Sequence, residues 1–517
     1  MRKLLFTTAC MLSITLSGIG QTLSIENVQK VSLRNTDAIK EGTEVKGYYF
    51  FYVSDKIDKK TNEYTLQITD NNLKKLKDIK FEDSKDLSVL ESSFNGTDLI
   101  FLMYNSKERT FEHQVFGADG KRKFSYLRDL SKKEKRYLEN TYLAMDDEED
   151  NFKGLYPVAG KGFISNMPSR EDKDYTFEID YFSSESKKQW TYIPDLAGKK
   201  FIGDVLGVAN NVVYIETLIF GSMMDQKPES VIIGLSLDNG KKLFEKKSDF
   251  SDKRFYPASL STLENGKAIL FGEYFGSGAN IVKDKSQGFG FIGLDETGNV
   301  TSEKYNSWEN DMSRYLDVKS KGKIADFGFM YVHNIVQAAD GNIFAVGEGY
   351  KKVASALGIA ATMLSRGSGR GVSTMKLKVT DMIVLKFDKD FSIKAANIYD
   401  KNSNNIELPG GYEFVSGPLI GKMVKYEYGG FDYAYTKQSS DKSSFSIYYS
   451  DYVRGKDYKG GTFNAISYND GKFTTDKINT KSDATRTSIL PAKQGQVLVL
   501  DYYKKAKKLD AHFEKLD

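Results

Sequence analysis

Cys10 and the histidines at 113, 333 and 512 are the chain's whole stock of thiol and imidazole, the groups that most often serve as nucleophile, proton shuttle or soft metal ligand. They are too scattered to form a metal-ligating cluster, and no Gly-x-Ser-x-Gly elbow supports a serine triad. His113 and His512 fall in outer or terminal strands and read as surface residues. His333 differs, because Tyr331-Val332-His333 reads as the innermost strand of a repeat unit. A channel-facing imidazole there has two readings, a ligand contact or a hydrogen-bonded structural histidine, and the second is the commoner. Among the acids, Glu273 and Glu348 recur at equivalent repeat positions, which points to a structural role in each unit. A catalytic carboxylate pair would instead break the repeat. The acidic run Asp146–Asp150 lacks the spaced oxygens and the glycine of a calcium loop, so it reads as a solvated loop.

The largest departure from the repeat spans 350–381. Val353, Ala354, Leu357, Ile359, Ala360, Met363 and Leu364 follow a helical spacing. Tyr350, Lys351 and Lys352 precede them, and Arg366 and Arg370 follow. The spacing predicts a basic amphipathic helix, either a lid that contacts a partner or a helix packed over the end of the barrel. Gly367, Gly369 and Gly371 lack the strand-turn-helix context and the Lys-Ser/Thr ending of a phosphate loop. A second insertion spans 275–287, and the two are expected to lie side by side on one face. With no thiol cluster, histidine cluster or nucleotide motif, no cofactor is expected.

The elements that must position these residues announce themselves as hairpins. Tight turns at Asn265-Gly266, Asp340-Gly341 and Gln494-Gly495 feed runs apolar on both faces, such as Ala268–Tyr274 and Ile343–Glu348. A second kind of hairpin follows, with charges on alternate positions of its last strand, as around Asp238-Asn239-Gly240, Thr297-Gly298 and Asp470-Gly471. An inner plus an outer hairpin makes a four-stranded sheet, repeating roughly every 40–70 residues. Such a sheet can bury both faces only by stacking radially on its neighbours. The expected fold is therefore all-β, a single β-propeller of about seven or eight four-stranded blades. The last unit, from Ser488, lacks one strand, and Leu23–Leu33 is expected to supply it and close the ring.

Arg2 and Lys3 ahead of the apolar stretch Leu4–Leu16, then Gly18-Ile19-Gly20, read as a secretory signal peptide over residues 1–20, with the propeller over 21–517. Cys10 lies inside that stretch, and Thr7 stands where a lipoprotein signal wants leucine. No later segment reaches the ~20 apolar residues that a membrane-spanning helix needs. The formal charge of +4, two of it from Arg2 and Lys3, is interspersed and leaves no basic stripe for nucleic acid. Phe (33) and Tyr (32) outnumber Pro (8) so heavily that ordered strands must dominate.

The pattern from Val336-Gln337-Ala338-Ala339-Asp340-Gly341 through Val346-Gly347-Glu348 to Val384-Leu385-Lys386-Phe387-Asp388 is similar to the degenerate repeats of bacterial exported propellers. With Gly347–Ala354 and the C-terminal unit, the chain resembles an uncharacterised exported family of Bacteroidota carrying a domain of unknown function. That resemblance implies a propeller-like fold and export, and brings no catalytic residues. The expectation for function is a monomeric, exported, non-catalytic binding or scaffold protein with a protein or cell-envelope partner. Tyr331, His333, Tyr350, Lys351, Lys352, Arg366 and Arg370 are the candidate contact residues. The rival is a propeller hydrolase or lyase acting on glycans, with a carboxylate pair near the channel. Converging buried carboxylates at the channel mouth would favour the rival.

Overall fold

In a computed structural model the chain forms eight antiparallel blades arranged in a ring, a β-propeller. The structure describes residues 22–141, 153–171, 174–185, 188–195, 197–221, 227–263, 266–319, 322–355, 372–409, 417–426, 429–455 and 458–516. Blades 1–7 occupy 30–84, 87–129, 155–192, 200–247, 249–307, 329–409 and 433–479. Blade 8 takes three strands from 486–515 and its outermost strand, Thr22–Glu26, from the other end of the chain.

Each blade follows the chemistry of its strands. Second strands such as Asp98–Asn105 and Val212–Phe220 are buried almost end to end, because a neighbouring blade covers each face. Fourth strands such as Arg122–Asp129 alternate between exposed and half-buried positions. The turns use residues that tolerate left-handed backbone: Asn210 and Asn211 stand at φ 49° and 63°, and Asp470-Gly471 at 46° and 80°. Every pair of neighbouring blades, the 8–1 pair included, shares an apolar cluster.

The seam is closed by Thr22–Glu26 pairing with Lys508–His512. This corrects the expected closing strand at its far end, since Lys30–Glu41 is already the innermost strand of blade 1. Across the seam, Tyr48 donates to the Pro491 carbonyl and Tyr502 to that of Gln29.

The helical spacing that begins at Val353 is overridden. Ile343–Ala354 is one continuous strand, and its last residues pair with Met375–Val379 of the returning strand Val372–Phe387. The rest of the expected helix, Leu357 to Leu364, lies outside the described residues, as do Arg366, Arg370, the 367–371 glycines, the acidic run Asp146–Asp150 and the expected signal peptide. The described residues include two α-helices, α1 (Lys132–Thr141) between blades 2 and 3 and α2 (Gly417–Tyr426) between blades 6 and 7. No helix among the described residues is long and apolar enough to cross a membrane.

Candidate functional site

The axis is lined by the first strand of each blade. In blades 2, 4, 5, 6 and 7 that strand slips one residue against its neighbour, at Leu90, Leu206, Ala258, His333 and Ala434. A bulge re-aims the extra side chain. Four of the five positions carry Leu or Ala, and blade 6 puts an imidazole there.

His333 is sealed in an aromatic box. Its ring stacks on Tyr433 at 4.5 Å and 7° and meets Tyr331 and Phe431 edge-on at 5.0 and 4.9 Å. Burial, with Lys425 and Lys401 nearby, holds its pKa well below the ordinary imidazole value, so it is neutral. Glu348 lies 3.3 Å away, and both side chains are fully buried.

Glu348 ties blade 6 to blade 7. Its carboxylate accepts the backbone N–H groups of Asp432 and Tyr433 at 3.1 Å, and Lys401 stands 2.9 Å from it. Lys401 also reaches Asp432, so one ammonium serves two carboxylates. Burial raises the Asp432 carboxyl to about 6, with Lys401 opposing and Glu348 adding to the rise. Lys401 stays charged, because the two acids outweigh its own desolvation.

α2 lies across the same end of the channel and touches three blades. Ile420 and Val424 pack with Tyr350, Leu377, Val379 and Phe431 of the blade 6–7 region. Leu419 packs against the blade 4–5 cluster of Leu218, Tyr256, Phe275 and Ile281. Tyr350 donates its hydroxyl hydrogen bond to the Gly417 carbonyl. Lys422 points into the channel, 2.8 Å from Asp204 and 3.1 Å from Glu216 of blade 4 and 5.7 Å over the Tyr256 ring of blade 5. Burial opposes its charge, yet Asp204, Tyr256 and Glu216 hold its pKa well above the ordinary value.

Beside Lys422 is a hollow of about 30 Å³, bordered by Asp204, Tyr256, Glu273 and Tyr331. Glu273 is half-buried and borders this hollow. Burial pushes its carboxyl up to about 7, with Ser286 opposing. It makes no ion pair among the described residues.

Of the candidate residues, the structure gathers Tyr331, His333 and Tyr350 beneath α2. Lys351 is half-buried and donates to the Asp326 carbonyl at 2.7 Å, and Lys352, also half-buried, follows it along the strand. α2 touches residues of both insertions, Leu419 packing with Phe275 and Ile281 and Gly417 lying beside the Tyr350 hydroxyl. Glu273 and Glu348 do stand at equivalent positions, opposite Tyr256 and Tyr331. His113 corrects the surface reading: it is 1% exposed, stacks on Phe182 of blade 3 at 4.5 Å and shares a 2.9 Å hydrogen bond with Ser165. His512 is one-third exposed. Sequence reasoning missed Lys401, Lys422, Asp432 and α2. Among the described residues, no group of three or more His, Cys, Asp or Glu is arranged to hold a metal ion.

Solved structures similar to this chain include the WD40 domain of SCAP from fission yeast, at 9% identity and TM-score 0.35, covering 95% of this chain and 94% of that one. A post-proline cleaving enzyme from Rickettsia typhi matches at 9% identity and TM-score 0.40, over 90% of this chain and 57% of that one. The β-propeller domain of the Trilobed protease from Pyrococcus furiosus matches at 10% and 0.31, over 74% and 98%. The chain spans about half (54%) of a prolyl endopeptidase that it matches at 11% identity and TM-score 0.37. Comparison with curated proteins gives no match. A family model matches residues 1–517 from end to end, and the chain belongs to the Family of unknown function (DUF6770).

Proposed function

We propose that this chain is an exported, non-catalytic binding or scaffold propeller that engages a protein or cell-envelope component through the face built from α2, the 275–287 loop and the 350–381 extension. The observation that carries this reading is the lysine in each group of acids near the axis, Lys401 between Glu348 and Asp432, and Lys422 against Asp204 and Glu216. Such carboxylates are already neutralised and hold the blades and α2 together. A glycosidase needs two carboxyls flanking an accessible bond. The hollow beside Lys422 has room for a water or two and not for a sugar ring.

One observation favours the rival reading of a glycan hydrolase or lyase. Glu273 makes no ion pair among the described residues and is poised near neutral pH beside Asp204. The test shortens the extension by joining Ser355 to Val372 through Asn-Gly, which spares the buried Leu377 and Val379, and compares pull-downs from envelope fractions. A partner kept by the full chain and lost by the shortened one, at equal thermal stability, supports the binding reading. Unchanged partners, or glycan cleavage abolished by Glu273→Gln, would overturn it.

A further inference from the structure

Lys401 and Lys422 each stand between two carboxylates at the α2 end of the channel. Lys425, in the last turn of the helix that carries Lys422, does not. Among the described residues it makes no ion pair, and its ammonium lies 5.3 Å from the centre of the Tyr433 ring. That ring is the one stacked on His333, so the amine faces the aromatic box and not an acid. Lys153, ahead of the first strand of blade 3, brings a second positive charge to it, and Glu348, already held by Lys401, brings the opposing one. Lys425 is half-buried, and Ala434, next to Tyr433 on the first strand of blade 7, is exposed, so solvent reaches this part of the channel.

A lysine is an ordinary strong base because water solvates its ammonium. Desolvation and a neighbouring cation both destabilise the charged form, and these are the conditions under which lysines become nucleophiles. Here burial acts first and Lys153 second, with Glu348 opposing, and the Lys425 amine is lowered to about 8. At pH 7 roughly one chain in ten then carries a free lone pair there, against about one in three thousand for a lysine at 10.5.

We propose that Lys425 is a nucleophilic amine that captures a small aldehyde as a Schiff base at the α2 end of the channel. The nitrogen lone pair bonds to the carbonyl carbon as the C=O π electrons move to oxygen, and a proton passes from nitrogen to oxygen through solvent. Loss of that oxygen as water leaves the C=N bond, with nothing oxidised or reduced. Such a site goes beyond the binding reading and does not rest on it.

The probe is propanal, incubated with the full chain at pH 7 and trapped with cyanoborohydride, and the propyl mark on each lysine is read by peptide mass spectrometry. Lys425 should be marked at least about tenfold faster than the exposed Lys504, Lys505 and Lys507, its half-burial taking back part of the advantage. Lys425→Arg should lose the fast adduct. Lys153→Gln should slow marking of Lys425 about threefold at pH 7 and leave it nearly unchanged at pH 9, where the amine is mostly free in either protein. Misfolding would not produce that split. Marking of Lys425 no faster than the three exposed lysines, or an equal effect of Lys153→Gln at both pH values, overturns the proposal.

Discussion

Glu273 shows how a single carboxyl records its surroundings. Its folded pKa, about 7 against an ordinary 4.5, means that the native state holds its proton more tightly than the unfolded chain does. Its contribution to stability is therefore fully present below pH 4.5 and lost as the pH rises through 7. Allowing for solvent in the hollow, the loss is roughly 2 kcal/mol. Glu273→Gln keeps the shape and removes the titration, so urea unfolding at pH 5 and pH 8 should differ by about 2 kcal/mol less in the variant than in the wild type. Equal pH dependence in both proteins would show that the carboxyl is in effect solvated. Glu348 could be read from the sequence as structural because its position repeats that of Glu273 in the preceding blade. Its partners could not, since Lys401 and Asp432 lie 53 and 84 residues further along and carry no local signature. His113 was misread for a related reason: on a third strand, the side facing outward from its own sheet is covered by the next blade.

At the scale of elements, the hairpins were legible and the helix was not. Turn residues and two-faced apolar runs are local signals, and they marked inner and outer hairpins in order. α2 carries Gly417, Pro418 and Gly421 within ten residues, a composition poor in helix propensity, and a helix of this length is marginal alone. Docking over Tyr331 and Tyr350 of blade 6, Tyr256 of blade 5 and Asp204 of blade 4 stabilises it, and that depends on three blades. The converse failure is Val353 and Ala354, where a helical spacing lost to pairing with Lys376 and Met375. Gly421 gives the test. By propensity alone, Gly421→Ala would stabilise α2 by about 1 kcal/mol. A Cβ there would instead stand 2.8 Å from the Tyr331 ring and 3.2 Å from the Tyr350 hydroxyl. Overpacking of that kind costs about 1–3 kcal/mol, so the net effect is expected to be destabilising. Hydrogen exchange across 417–426 should quicken in Gly421→Ala, and Tyr331→Leu in the same chain should restore part of the protection. Slower exchange in the single variant would show that propensity, and not packing, governs this helix.

For the whole molecule, the closed ring is what makes eight weakly similar sheets one folding unit. A linear array of repeats has two ends whose outer faces lack a neighbour, and its stability is close to a sum of units and interfaces. Here the seam between blades 8 and 1 is as apolar as the other seven, and Ile25, 5% exposed, is the one buried residue of the five-residue strand that completes it. Ile25→Asp places an unpaired carboxylate in that core, at an expected cost of about 2–4 kcal/mol. The consequence reaches beyond one strand. Once Thr22–Glu26 peels away, Lys508–Lys515 becomes a bare sheet edge, and edges of that kind pair with other chains. The wild type should melt in one sharp transition. Ile25→Asp should melt earlier and more broadly, with a sedimentation profile that shifts to heavier species as concentration rises. Ser24→Asp, at an exposed position on the alternate face of the same strand, serves as the control and should change both readouts little. If Ile25→Asp keeps the sharp transition and an unchanged sedimentation profile, the strand is decoration and the ring is held by the blade interfaces alone.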